Sequence, residues 1–272
     1  MALKIGAMMW AGRDTIAEMK ALGAVCGQLG VGGDYELSEA AIAYWKTESA
    51  AHDFAFSTVV CAYNGEDYAD QPTVQRTVGF IPPAARAERE ARTLAASDFG
   101  AALGITSVAC HIGFVPEDAA HPDYIAVREM VRRVCDHAAR HGQTFVLETG
   151  QEPAHTLLHF LKDTARPNLG INFDPANMIL YGTGDPIEAL RILAPHVKSV
   201  HAKDGDWPPA GVATALGHER PLGQGSVGME RFVAALREIG FEGSLNIERE
   251  GVEQDQRLID MRLGAELLAG LI

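Results

Sequence analysis

Short apolar runs that read as β-strands alternate with helical stretches eight times along the chain, and that count constrains the fold more than any other feature. The runs are Lys4–Met8, Ala24–Leu29, Phe54–Ala62, Thr106–Ile112, Thr144–Glu148, Leu169–Asp174, Val197–Ala202 and Ser244–Glu248. Helical periodicity is clearest between them at Arg86–Leu103, Tyr124–His141, Pro186–Leu193, Met229–Ile239 and Gln254–Leu268. Gly23, Gly104, Gly142 and Gly240 each follow a helical run and precede a strand, where a left-handed residue ends a helix. Regular alternation of this kind predicts a parallel sheet with helices packed outside it, and eight units predict a closed (β/α)8 TIM barrel over an open doubly wound sheet. No linker or composition shift divides residues 1–272, so the chain reads as a single domain. Its 272 residues are 47% hydrophobic, enough for a barrel core.

Composition narrows the partners. Asp and Glu number 36 against 23 Lys and Arg, for a formal charge of −13. A surface that binds nucleic acid or an anionic membrane normally carries net basic charge or a basic stripe, so neither is expected as a partner. Cys26, Cys61, Cys110 and Cys135 show no C-x-x-C spacing and read as reduced thiols of a cytoplasmic protein. The stretch MALKIGAMMWAG lacks a long apolar segment and a clean cleavage site and reads as the first strand; no run approaches the length of a membrane span.

Polar residues at the ends of four of the runs carry the chemistry. Glu148 in TFVLETG, Asp174 in LGINFDPAN, His201 in VKSVHAKDG and Glu248 in SLNIERE each stand at the C-terminal end of a strand. In a parallel barrel all these ends open onto one face, so the four are expected to converge on one divalent metal ion. One imidazole and three carboxylates make a mostly oxygen donor set, suited to Mn²⁺ or Mg²⁺, with Zn²⁺ and Co²⁺ admitted by the imidazole. Strand alternation puts Asn172, Ser199, Lys203 and Asn246 on the same side as these ligands, as candidates for binding hydroxyl groups. Lys203 either polarises a substrate oxygen or pairs with Asp204 or Asp206. His111, ending the fourth strand, either touches substrate or a second metal, or is a satisfied strand-end histidine.

Other signals are weaker. Residues 63–83 and 204–228 are long connections after strand C-termini, and Tyr63, Tyr68, Phe80 and Trp207 make them lid candidates. Gly223-Gln-Gly-Ser-Val-Gly228 matches a dinucleotide-binding spacing but follows no strand, so it reads as a flexible loop feeding a helix. His155 and His159 are spaced to share a helix face, yet Thr156 stands where a zinc protease needs Glu.

The segments LETGQE, NFDPANMILYG, VHAKDG and PLGQGSVGMERFVAALREIGFEGSLNIERE resemble the xylose isomerase-like TIM-barrel superfamily, in its sugar phosphate isomerase/epimerase branch. The resemblance is strongest from about residue 100 to 250. It implies a divalent metal on Glu148, Asp174, His201 and Glu248, with the two glutamates also serving as an acid/base pair on either face of a sugar. It departs from the ketose 3-epimerases at Asn177, where they usually carry His, and at His201-Ala-Lys-Asp-Gly-Asp-Trp207, where they carry H-x-x-E-x-x-R. Asn177 is accordingly read as a substrate-side residue of altered type. Endonuclease IV shares the superfamily, but the missing His at position 177 and the acidic charge argue against DNA repair. The expected activity is isomerisation or epimerisation of a sugar or sugar-like ketone through an enediolate. A carbon–oxygen lyase on a keto-sugar or keto-inositol, known among the superfamily's dehydratases, and a metal-dependent sugar-binding protein stand as alternatives. Homo-oligomerisation stays open.

Overall fold

Ten strands and ten α-helices make up the computed structural model, which describes residues 3–212 and 214–272. The strands are β1 (Lys4–Trp10), β2 (Cys26–Val31), β3 (Ala55–Cys61), β4 (Ser107–Cys110), β5 (Thr144–Glu148), β6 (Leu169–Phe173), β7 (Val197–Ala202), β8 (Asp204–Asp206), β9 (His218–Arg220) and β10 (Ser244–Ile247). All but β8 and β9 pair in parallel around a closed barrel, with β10 returning beside β1. The expected (β/α)8 barrel is therefore present. Strands β8 and β9 form a separate antiparallel ribbon within the long connection after β7.

The helices are α1 (Ile16–Ala21), α2 (Glu39–His52), α3 (Gln71–Thr77), α4 (Arg86–Ala102), α5 (Pro122–Ala139), α6 (Ala154–Thr164), α7 (Pro175–Tyr181), α8 (Pro186–Leu193), α9 (Met229–Glu238) and α10 (Gln254–Leu271). The five clear helical patterns of the sequence correspond to α4, α5, α8, α9 and α10. Helix α2 was hidden because only Trp45 of its side chains is buried, so it shows little apolar periodicity. Helices α3 and α7 are short and sit inside loops, each started by an Asp cap and a Pro in the first turn.

Side-chain alternation divides the interior into two layers. Outward-facing strand residues such as Leu29, Phe145, Ile171, Val200 and Leu245 pack with Trp45, Phe160, Leu190 and Phe232 of the helices. Each such fully buried side chain stabilises the fold by about 1.5–3 kcal/mol. Inside the barrel, Met8, Val60, Ala109 and Val146 form a smaller apolar cluster under Trp10. The rest of the interior is polar: Gln28, Asn172, His201 and Asn246 are completely buried. Gly6 makes room for this arrangement, since a Cβ there would lie 2.3 Å from the Asn246 amide oxygen. The polar sector therefore runs up one side of the barrel toward the C-terminal mouth.

All four cysteines are free thiols, with Cys26 half-buried and the others buried. No helix among the described residues is long and apolar enough to cross a membrane.

Candidate metal centre

Asp174 shows how local sequence aims a ligand. It follows β6 directly and is the N-cap of α7. Its Oδ1 accepts hydrogen bonds from the backbone N–H groups of Ala176 (2.8 Å) and Asn177 (3.0 Å). That leaves Oδ2 buried with no hydrogen bond. Thr149, just beyond β5, fixes the turn from below: the Asp174 N–H donates to Thr149 Oγ1 at 2.8 Å, and that hydroxyl donates to the Asp174 carbonyl at 3.1 Å.

His201 is aimed in the same way from β7. Asn172 Oδ1 accepts from Gln28 Nε2 (3.0 Å) and Ser199 Oγ (2.5 Å), which fixes the orientation of both amides. Gln28 Oε1, at 2.7 Å, and Asn172 Nδ2, at 3.0 Å, then bracket His201 Nε2 and hold that side of the ring. Nδ1 is turned toward the carboxylates, 3.0 Å from Glu248 Oε2, 3.3 Å from Glu148 Oε1 and 3.6 Å from Asp174 Oδ2. Like Asp174 Oδ2, it is buried and makes no hydrogen bond.

Donor atoms of Glu148, Asp174, His201 and Glu248 all lie within 4.8 Å of one another, and all four residues are buried. Ligands held at about 2.0–2.4 Å from a cation can be no more than about 4.8 Å apart, so the spacing fits a single ion. Two orphaned, inward-pointing polar atoms would be costly in a site without a partner, since each unsatisfied buried group costs about 1–3 kcal/mol. The cluster can therefore hold a divalent metal ion on residues of the expected type.

The electrostatics are those of a crowded, charge-compensated cleft. Burial on its own would raise the Glu148 carboxyl, but His111 and His201 outweigh it and hold Glu148 well below the ordinary carboxylate value. Burial likewise opposes ionisation of Glu248, yet His201 and Lys203 bring it down to about 2. Asp174, where burial dominates over the pull of Lys203, is shifted upward. Burial disfavours the charged His201 ring, but Glu248 and Glu148 push its pKa well above the usual value. His111 is raised to about 9 against its own burial, chiefly by Glu148, whose Oε1 lies 3.4 Å away.

A cavity of about 430 Å³ opens above the cluster, a volume suited to a small ligand. Its wall includes Trp10, Glu66, Tyr68, His111, Asn177 and Lys203. Asn177, on α7, donates from Nδ2 to Glu148 Oε1 at 3.0 Å. Lys203 Nζ lies 3.1 Å from Glu248 Oε2, 3.6 Å from Glu219 Oε2 and 3.7 Å from Asp174 Oδ2.

The structure changes several expectations. Lys203 pairs with Glu248, Glu219 and Asp174, whereas Asp204 turns away to accept from the backbone N–H groups of Gly205, Gly223, Gly225 and Val227. The Gly223–Gly228 segment is thus tied to a buried carboxylate, where the sequence had read a flexible loop. Of the aromatic lid candidates, Tyr63 and Phe80 are buried in the core, and Tyr63 shares a hydrogen bond with Thr93. Tyr68 does reach the cavity, but Trp207 is exposed and is not among its lining residues. Asn172, Ser199 and Asn246 do share the ligands' side, yet they are buried beneath the cluster and do not line the cavity. His155 and His159 are exposed on α6.

Sequence reasoning missed Gln28, Glu66 and Glu219. Gln28 lies within an apolar strand, and its inward polarity was a readable signal. Glu219 is carried to the cavity by the β8–β9 ribbon and held there by Arg249 Nη1 (2.8 Å) and the Glu250 N–H (2.7 Å); no local pattern marks it.

A family model described as xylose isomerase-like TIM barrel matches residues 16–268. The chain belongs to this family. Among solved structures of xylose isomerase-like barrels, a xylose isomerase domain protein from Planctomyces limnophilus is 40% identical, with a TM-score of 0.94 over 99% of this chain and 97% of the other. A D-tagatose 3-epimerase-like protein shares the fold at 18% identity and a TM-score of 0.76, over 99% of this chain and 97% of that one. The uncharacterized protein YihM of Escherichia coli (strain K12) is 31% identical over 118 residues, which is 42% of this chain. The match spans only about a third of YihM, 34% of its length.

Proposed function

We propose that this xylose isomerase-like barrel is a divalent-metal-dependent isomerase or epimerase of a sugar or sugar-like ketone, removing a proton beside the carbonyl. One observation carries the reading: Glu148 and Glu248 line the cavity, while Asp174 and His201 sit behind them. Two of the four donors therefore face a substrate and two serve only to hold an ion. The sugar-epimerase description of one structural neighbour agrees with this division.

Glu148 Oε1, Asp174 Oδ2, His201 Nδ1 and Glu248 Oε2 would hold the ion, with Mn²⁺ or Mg²⁺ favoured by three carboxylates. A divalent cation there supplies Lewis-acid stabilisation for negative charge developing on a carbonyl oxygen. One glutamate, ionised at rest, accepts the carbon-bound proton, and the other returns a proton to the resulting enediolate that it takes from its charged neighbour, His111 beside Glu148 or Lys203 beside Glu248. Return to the opposite face of the same carbon inverts it; return to the neighbouring carbon moves the carbonyl. Asn177, His111 and Lys203, which line the cavity, would hold substrate oxygens. Tyr68 and Trp10 narrow the mouth and exclude water.

Lys203 supports a second reading. An ammonium group at the cavity wall, 3.1 Å from Glu248, can assist departure of a β-hydroxyl after the same proton removal, giving a dehydratase. The test is to incubate Mn²⁺- and Mg²⁺-loaded protein with a panel of keto-sugars in deuterated water. Exchange of a substrate C–H with a product of unchanged mass apart from deuterium supports isomerisation or epimerisation. Loss of water supports the lyase, and binding with no exchange on any ligand overturns both in favour of a binding protein.

A further inference from the structure

On the outer helical layer, away from the barrel mouth, a second group of ligating side chains lies across two neighbouring helices. His137 in the last turn of α5 and His141 just beyond it are four residues apart and share one face, with ring centroids 5.5 Å apart. Asp98 of α4 lies opposite, its Oδ1 2.6 Å from His137 Nε2 and 2.8 Å from His141 Nε2. One donor atom from each of the three falls within 4.8 Å of the others. None of these residues touches the cavity, and the catalytic reading makes no use of them.

We propose that Asp98, His137 and His141 form a second, surface metal site that takes a borderline transition-metal ion such as Zn²⁺. Two imidazoles and one carboxylate are a usual three-residue set for zinc, with water completing a tetrahedron. The donor set is nitrogen-rich where the barrel cluster is oxygen-rich, so the helix site selects Zn²⁺, Ni²⁺ or Cu²⁺ against Mg²⁺, whereas the mouth accepts Mg²⁺ and Mn²⁺ as well. Zinc bonds of about 2.0–2.2 Å place tetrahedral donors roughly 3.3 Å apart, so the carboxylate has to withdraw by about half an ångström from its present hydrogen bonds. Asp98 is free to do so, being 56% exposed in its side chain. Partial burial opposes its ionisation, but the two histidines outweigh that and keep the carboxylate below its ordinary value.

Another pair with the same spacing shows why the third residue matters. His155 and His159 on α6 are also exposed and four residues apart, but among the described residues they belong to no group of three ligating side chains. The zinc ion would tie α4 to α5, two helices already in contact, and so raise the melting temperature.

The test uses full-length protein saturated with Mg²⁺, titrated with Zn²⁺ by calorimetry, with Cu²⁺ electron paramagnetic resonance as a spectroscopic readout. The wild type is expected to take up one Zn²⁺ more than His137→Ala and His141→Ala, with a melting temperature several degrees higher when zinc is present. Its Cu²⁺ spectrum should show nitrogen coupling that both variants lose. Magnesium-supported stability and the α-exchange activity should be the same in all three proteins, which separates this site from the catalytic reading. Equal zinc stoichiometry in wild type and variants, or a Cu²⁺ spectrum unchanged by either substitution, would show that the three residues are only a hydrogen-bonded link between helices.

Discussion

Gln28 Oε1 lies 2.7 Å from His201 Nε2, on the side of the ring away from the carboxylates, and together with Asn172 Nδ2 at 3.0 Å it keeps Nδ1 turned toward them. Removing that acceptor frees the ring to change tautomer or rotate. Outer partners of ligating histidines typically contribute about 10–100-fold to metal affinity. Gln28→Leu is therefore expected to weaken Mn²⁺ binding by about that factor while the fold is retained, and titration calorimetry beside circular dichroism reads both. Wild-type affinity in the leucine variant would remove Gln28 from the site.

Glu148→Gln and Glu248→Gln should each lower kcat by about 10² or more, with a smaller change in substrate binding, because an amide cannot take up and return a proton. Metal content has to be measured in both variants, since an emptied site mimics a catalytic defect. A metal-replete glutamine variant at each position that still exchanged substrate hydrogen at the wild-type rate would refute the acid/base roles. His111, 3.4 Å from Glu148, and Lys203 would then be the bases to examine.

The barrel was legible because its signal is a count, and no single boundary decides it. Strand ends shifted by a residue or two: Asp174 and Glu248 lie just beyond β6 and β10, not inside them. Neither shift moved a ligand off the barrel's C-terminal face. The D-P-A-N run also carried a readable helix start, and seeing it would have shown that only one oxygen of Asp174 is free. What sequence could not supply was the partnership of residues distant in the chain. Lys203 finds Glu219 through an antiparallel ribbon, and Gln28 finds His201 across the barrel interior. The first depends on the pairing of β8 with β9 and the second on closure of the barrel, and no local window records either.

Glu152 gives a pH prediction away from the metal cluster. Burial raises its carboxyl to about 7, only partly offset by the Val115 N–H, which donates to Oε1 at 2.9 Å. The fold thus favours the protonated form. Its contribution is fully present below the unfolded value near 4.5 and is lost as pH rises through about 7. Glu152→Gln keeps an acceptor for Val115 and removes the ionisation. The variant should be more stable than wild type at about pH 8.5 by on the order of 2–3 kcal/mol and nearly equal at about pH 5. Chemical denaturation at both values checks this, and a pH-independent difference would contradict it.

Arg257 makes the last prediction, because it joins α10 to the barrel through contacts that have no water to replace them. Its side chain is 1% exposed, and its Nη1 lies 2.8 Å from Asp14 Oδ1, a carboxylate that is itself fully buried. Nη2 donates to the Met8 carbonyl at 3.0 Å and Nε to the Arg249 carbonyl at 2.8 Å. Arg257→Met fills much of the same volume but leaves the buried Asp14 carboxylate with Arg13, at 3.5 Å, as its remaining cation and takes one donor each from the Met8 and Arg249 carbonyls. Breaking a buried pair from one side costs about 3–5 kcal/mol, whereas removing both charges together costs less. Arg257→Met should therefore lower the melting temperature by roughly 6 °C or more, and adding Asp14→Asn should restore part of the loss. A double variant as unstable as the sum of its single changes would show that packing, and not the buried charge, sets the value of Arg257.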